Sequence, residues 1–345
     1  MIKELVDFFN NLNGKTLTPE ELEQLDNSTG GNVAKQMIEA IKGDQHTKSG
    51  AYKTCSFFGD APVFAMLKSK QVCSKASQMF VKNKANQIIR LNNKLVTGGA
   101  RIARLYSIFY ADKRYVEIQQ AIKGEPIAIN NLSNFAKKVI GRRIDSYFTT
   151  DIDPLEKKKL GDALFEYNYN QQQQMLSLPQ SAFDKLFKTY VLLNRRNIRV
   201  DDNHCENLLV GKKGFTLIDL DYGKMVEHNK DYKNKQTDNK VAHDFIFPFS
   251  YTSFYTPFLT MTQIKKLEDA NVEILKRLID AISNNKVVIN AKKDMIDDVI
   301  FGMVGIDNAI DKANYLFQSQ IELRQKQGLP PDGFVKYYTA TPKRK

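Results

Sequence analysis

Ile198-Arg199-Val200-Asp201-Asp202-Asn203-His204-Cys205-Glu206-Asn207-Leu208-Leu209-Val210-Gly211-Lys212-Lys213-Gly214-Phe215-Thr216-Leu217-Ile218-Asp219-Leu220-Asp221-Tyr222-Gly223 sets two short apolar runs on either side of a Gly-Lys-Lys-Gly turn. Leu208 to Val210 and Phe215 to Ile218 have strand composition, and a four-residue connection carrying Gly211 and Gly214 suits a β-hairpin. Asp202 precedes the first run, Asn207 enters it and Asp219 leaves the second. Antiparallel pairing then brings Asn207 and Asp219 side by side at the open end. Oxygen donors so placed suit a hard divalent cation.

Upstream, Phe183 to Asn194 has apolar residues at helical spacing and leads straight into this stretch. Asp202 with Asn207 five residues on, a strand, a turn, a second strand and an apolar-flanked Asp219 resemble the catalytic core of the protein-kinase superfamily. The resemblance implies roles. Asp202 would orient and deprotonate the substrate hydroxyl, while Asn207 and Asp219 would hold Mg²⁺, or Mn²⁺ in its place, against the phosphates of ATP. Phosphoryl transfer is mainly positioning and charge neutralisation, which explains why oxygen ligands and one carboxylate are the minimum set. Two departures from the family stand out. Val200-Asp201 occupy the usual His-Arg, and Leu220-Asp221 replace Phe-Gly.

Working back toward the N-terminus, three candidate strands run from Thr54 to Phe58, Val63 to Leu67 and Gln78 to Lys82. Gly59-Asp60-Ala61-Pro62 falls where the resemblance puts a nucleotide-covering loop, so Gly59 is a cofactor-binding candidate, although one glycine is far from a glycine-rich loop. Phe80-Val81-Lys82 resembles the strand whose lysine pairs with the α- and β-phosphates, making Lys82 the candidate and Lys84 the alternative. The helix expected over Lys84 to Val96 has no acid for that lysine, only Asn86 and Gln87. Arg104 to Tyr110 and Arg114 to Ile122 form a second expected hairpin about Ala111-Asp112-Lys113. It ends in Lys123-Gly124-Glu125-Pro126, which resembles the hinge of kinase-like enzymes, choline and aminoglycoside kinases included. Gln119, Ala121 and Ile122 are therefore the backbone contacts expected for adenine.

Residues 1–50 read as a helical extension, 51–122 as a small β-rich lobe, 123–330 as a larger, mainly helical lobe, and 331–345 as a basic tail. The expected fold is thus α+β, bilobal and kinase-like. In the second lobe Lys137, Lys138, Arg142 and Arg143 cluster on or beside one helix, with Lys157, Lys158 and Lys159 shortly after. Clustered cations repel unless a phosphate-rich ligand neutralises them, so an inositol phosphate or anionic lipid headgroup is the expected activator. Gln171 to Gln174 reads as a loop or helix insertion. Asp221 to Asp244, rich in Lys and Asn with few hydroxyls, would be the activation segment. The aromatic run Asp244 to Phe258 reads as core.

Composition excludes several classes. The 345 residues, 42% hydrophobic and 10% aromatic, can bury a sizeable core, so this is no disordered tail. Fifty-one Lys and Arg against 39 acids give a formal net charge of +12, which favours polyanionic partners. The cations are dispersed without aromatic interleaving, so nucleic acid is not expected. Cys55, Cys73 and Cys205 lack a Cys-x-x-Cys spacing, which argues against a zinc site and a disulfide framework. Met1 to Asn13 reads as a short amphipathic helix rather than a signal peptide, and the chain reads as soluble and cytoplasmic. The Lys- and Asn-rich, Trp-free composition is compatible with a bacterial effector delivered into host cytosol. The sum of these expectations is an atypical protein Ser/Thr kinase, with a small-molecule kinase or a pseudokinase scaffold as alternatives.

Overall fold

A computed structural model describes residues 2–17, 33–42, 48–49, 53–58, 63–144, 152–196, 198, 200, 203–220, 237–253, 256–290 and 296–331. Two helices, α1 (Ile2–Asn11) and α2 (Val33–Lys42), come first. Five strands follow: β1 (Lys48–Ser49), β2 (Lys53–Phe57), β3 (Phe64–Ser69), β4 (Leu105–Ala111) and β5 (Arg114–Gln120). A long helix, α3 (Lys75–Thr97), lies between β3 and β4 in the chain. The sheet is antiparallel with order β1-β2-β3-β5-β4. Leu5, Phe9, Met37 and Ile41 of the two N-terminal helices share one buried cluster with Phe64, Met66, Phe109, Val116 and Ile118 of the sheet. By strand alternation those sheet residues occupy one face. Gly14 donates its N–H to Ile108 and Leu17 donates to Tyr110, which binds the N-terminal segment to β4. Helices α1 and α2 are therefore part of the first unit's core.

The β4–β5 hairpin closes tightly because Asp112 and Lys113 both take left-handed backbone, at φ 50° and 56°. That is the twist a two-residue hairpin turn requires. One expected strand does not form. Gln78 to Lys82 lies inside α3, where short Phe-Val apolar content fits a helix face as well as a strand.

The chain divides into two units, Met1–Lys123 and Gly124–Asp221 with Tyr232–Lys345. In the second, β6 (Glu125–Pro126), β7 (Leu208–Gly211) and β8 (Gly214–Leu217) form a small antiparallel sheet. Helices make up most of the rest: α4 (Leu132–Ile140), α5 (Pro154–Leu176), α6 (Gln180–Arg195), α7 (Asp238–Ile246), α8 (Met261–Asn284), α9 (Ile296–Val304), α10 (Ile306–Asp311) and α11 (Ala313–Lys326). Helix α5 starts cleanly because Asp153 accepts the N–H groups of Leu155 and Glu156 and Pro154 needs no partner. It runs through Gln171 to Gln174, which is therefore no loop. Gln171 and Gln172 are buried, and Gln172 Nε2 donates to Leu267 O at 3.0 Å and Asn271 Oδ1 at 2.7 Å. Of the expected activation segment, residues 221–236 lie outside the described residues and Asp238 to Asp244 belong to α7, which begins behind a Thr237 cap. Phe245 and Phe249 are buried, as expected for the aromatic run.

The molecule is thus α+β, with an antiparallel sheet in the N-terminal part and a helical C-terminal part. Among the described residues no helix is long and apolar enough to cross a membrane.

Candidate functional site

Leu208 pairs with Leu217, Leu209 with Thr216, Val210 with Phe215 and Gly211 with Gly214, so Lys212-Lys213 alone form the turn. Phe215 anchors the hairpin edge-to-face on Phe183 of α6 and on Phe249. Beyond the paired strands the ladder continues for one bond. Ile218 donates its N–H to Asn207 O at 2.9 Å. Asp219 is the next residue, and its backbone is left-handed at φ 52°. A non-glycine residue in that region costs on the order of 1–3 kcal/mol and persists only where its surroundings over-determine it. Buried Leu220, 3% exposed, pins the chain immediately after. Asn207 itself is buried, at 6% exposure, and ends a single 3-10 turn (Cys205–Asn207). Its N–H donates to His204 O at 3.0 Å. The register therefore sets Asn207 opposite Ile218, with Asp219 the next residue along the chain.

The segment before the hairpin is braced from several sides. Asn203 Oδ1 accepts the Tyr190 hydroxyl at 2.9 Å, and its Nδ2 donates to Asp244 O. The Asp244 carboxylate meets Lys240 Nζ at 2.8 Å and His243 Nδ1 at 3.1 Å. Burial and the Asp244 charge push the Tyr190 hydroxyl far above the ordinary tyrosine range, so it stays a donor. Glu206 Oε1 accepts the N–H groups of Asn130 and Asn131 at 3.3 and 3.2 Å, and Ile127 N donates to Leu208 O at 3.1 Å. The stretch after Gly124 is thereby laced to the hairpin. Gly124 is required there, since a Cβ would lie 2.9 Å from Val210 O.

Cys205 is fully buried, and burial with the Glu206 charge raises its thiol pKa far above normal. Such a group is no nucleophile. His204 Nδ1 accepts the Glu206 N–H at 3.2 Å, a local cap and not a catalytic relay.

Asp202 and Gly59 lie outside the described residues. Lys82 is exposed on α3 and its backbone flanks Gly14, so it is not a strand lysine. Gln119 is buried on β5, and its side-chain amide is committed to Glu117 at 2.6 Å. Ala121 donates its N–H to Val63 O at 2.8 Å, which removes that donor from the groups expected to face adenine. Ile122 is half-buried just beyond. Lys137 and Lys138 end α4, while Arg142 pairs with Glu156 at 2.6 Å and Arg143 is exposed beside it.

Among the described residues no three His, Cys, Asp or Glu side chains come together as a metal set. Asn207 and Asp219 each carry an oxygen of the hard type that Mg²⁺ accepts. A scan of the chain against protein-family models finds no match, and a search of curated proteins finds none either.

Proposed function

We propose that this chain is an ATP- and Mg²⁺-dependent phosphotransferase acting on a protein Ser or Thr hydroxyl, with the kinase-like fold its sequence resembles. The observation that carries this reading is the last bond of the hairpin, Ile218 N–H to Asn207 O, which leaves Asp219, in left-handed backbone, one residue past the partner of buried Asn207. In this reading Asn207 and Asp219 offer two oxygen ligands on a rigid turn, and Mg²⁺, when bound, neutralises charge on the transferring phosphoryl group. Asp202 is the carboxylate that receives the hydroxyl proton. Asn203, the next residue, is bonded to Tyr190 and Asp244. The exposed cations at Lys137, Lys138 and Arg143 are the proposed contact for an inositol phosphate or anionic headgroup.

The test is transfer of labelled γ-phosphate from ATP·Mg²⁺ to the chain itself or to a generic basic protein, with and without inositol polyphosphate. Wild type should incorporate label and Asp219→Ala should not. Absence of incorporation in every arm, together with absence of Mg²⁺-dependent nucleotide binding, sinks the enzyme reading and leaves a scaffold.

A further inference from the structure

Tyr110 on β4 is 8% exposed, yet among the described residues its hydroxyl makes no hydrogen bond of normal geometry. A buried hydroxyl left unpaired is destabilising, so its surroundings show what it is there to meet. Tyr110 lies opposite Tyr115 of β5, and the two rings meet edge-to-face at 6.3 Å. Tyr115 donates its N–H to Ser69 Oγ at 3.1 Å, and that oxygen is 3.8 Å from Cys73 Sγ. Cys73 in turn donates its N–H to Lys113 O, in the β4–β5 turn, at 3.0 Å. These contacts hold the segment after β3 against the turn end of the hairpin and bring the Cys73 thiol to the Tyr110 hydroxyl. Burial first, and then the neighbouring Cys73, push that hydroxyl far above the ordinary tyrosine range, so it remains a donor.

The Arg114 guanidinium lies on the same segment, donating Nη1 to Ser69 O at 3.2 Å and to Lys70 O. Hydroxyls and a cation beside a partly exposed sulfur suit the polar oxygen that one step of oxidation adds. Cys73 is half-buried, as is Cys55 on β2, whereas Cys205 is fully buried. Exposure therefore sets Cys205 apart and does not choose between the other two. What singles out Cys73 is the Tyr110 hydroxyl, a buried donor in want of an acceptor. An oxygen on the Cys73 sulfur supplies that acceptor.

We propose that Cys73 is a site of oxidation by hydrogen peroxide to the sulfenic acid, with the Tyr110 hydroxyl as the donor that holds the added oxygen. The sulfur attacks one peroxide oxygen, an S–O bond forms as the O–O bond breaks, and the other oxygen departs as water with the thiol proton. Sulfur gives up two electrons and peroxide takes them. A thiol reductant reverses the change. The modified residue lies between β3 and α3, so oxidation adds a bond where the helix joins the sheet. None of this rests on the phosphotransferase reading, because every group involved belongs to the first unit.

The experiment treats the full chain with limiting hydrogen peroxide, follows oxidation of each cysteine by mass spectrometry with a 1,3-diketone trap for sulfenic acid, and records melting temperatures without the trap. In wild type Cys73 should oxidise faster than Cys55 by about fivefold or more, the worth of one hydrogen bond, and Cys205 should stay reduced. Tyr110→Phe keeps the ring that packs on Tyr115 and loses the hydroxyl. Its reduced form should melt no lower than wild type, and its Cys73 should oxidise about fivefold more slowly. Peroxide should raise the melting temperature of wild type and leave those of Tyr110→Phe and Cys73→Ser where they were. Equal oxidation of Cys73 and Cys55 in wild type overturns the proposal, and that comparison needs no variant to fold. An unchanged Cys73 rate in folded Tyr110→Phe overturns it as well.

Discussion

Ile218 donates its backbone N–H to the carbonyl of Asn207 at 2.9 Å, and the next residue, Asp219, turns out of the strand with φ 52°. A hydrogen bond and a left-handed residue in succession define the backbone from which the carboxylate projects. Asp219 should therefore be separable into backbone and side-chain roles. Asp219→Gly relieves the left-handed strain, whereas Asp219→Ala retains it and loses the side-chain oxygen. In urea titration the Ala variant should be less stable than the Gly variant by about 1 kcal/mol. Both should lose any Mg²⁺-dependent rise in melting temperature given by ATP. Equal stability of the two would mean that the turn relaxes once the carboxylate is gone.

Much of this hairpin was readable from the chain because two apolar runs with glycines between them admit few other solutions. The same holds for Arg104 to Ile122, where the structure replaces the expected three-residue turn by Asp112-Lys113 alone. Gln78 to Lys82 misled for a definite reason: so short a run cannot tell period 2 from period 3.6, and α3 extends to either side of it. Gln171 to Gln174 left loop and helix insertion open because composition alone does not choose between them; the stretch is helical, and Gln172 finds its partners in Leu267 and Asn271, far along the chain. Lys53 and Glu117 are distant in sequence and meet only through the strand order, so no spacing rule could pair them.

Gly124→Ala should damage the small sheet of the second unit. The added methyl would press on Val210 O at 2.9 Å and on Leu209 Cβ at 3.3 Å, both held by pairing to β6 and β8. Overpacking against backbone costs about 1–3 kcal/mol. A fall in the denaturation midpoint of that size is expected. An unchanged midpoint would show that β6 can shift away from β7.

Thiol chemistry offers a check on the 3-10 turn. Cys205 is fully buried and its pKa is raised, while Cys55 and Cys73 are half-buried. For an acid, a raised native pKa means less thiolate at a given pH, so labelling of Cys205 at pH 8 is slow for two independent reasons. Mass spectrometry after brief exposure of native protein to an aromatic disulfide reagent should find Cys205 unmodified. Denaturant should expose it. Rapid native labelling would contradict the packing beneath Asn207.

Gln320 is fully buried on α11 and ties together a stretch with no regular structure of its own. Its Oε1 accepts the Ile289 N–H at 3.1 Å, and its Nε2 donates to Val287 O at 3.0 Å and to Ser283 Oγ at 2.7 Å. Ser283 in turn donates to Ile279 O at 2.9 Å, so one amide links the end of α8 to the segment after it. Gln320→Leu keeps the volume but orphans a buried N–H and a buried C=O. Each such group costs about 1–3 kcal/mol, and a combined loss on the order of 3 kcal/mol is expected in chemical denaturation at unchanged slope. Gln320→Glu separates the two halves of the network: it keeps an acceptor for Ile289 but gives up the donor to Val287 and places a carboxylate in the core. That variant should be less stable at pH 8 than at pH 5, where a protonated carboxyl can again donate. A pH-independent Glu variant would show that water reaches the site.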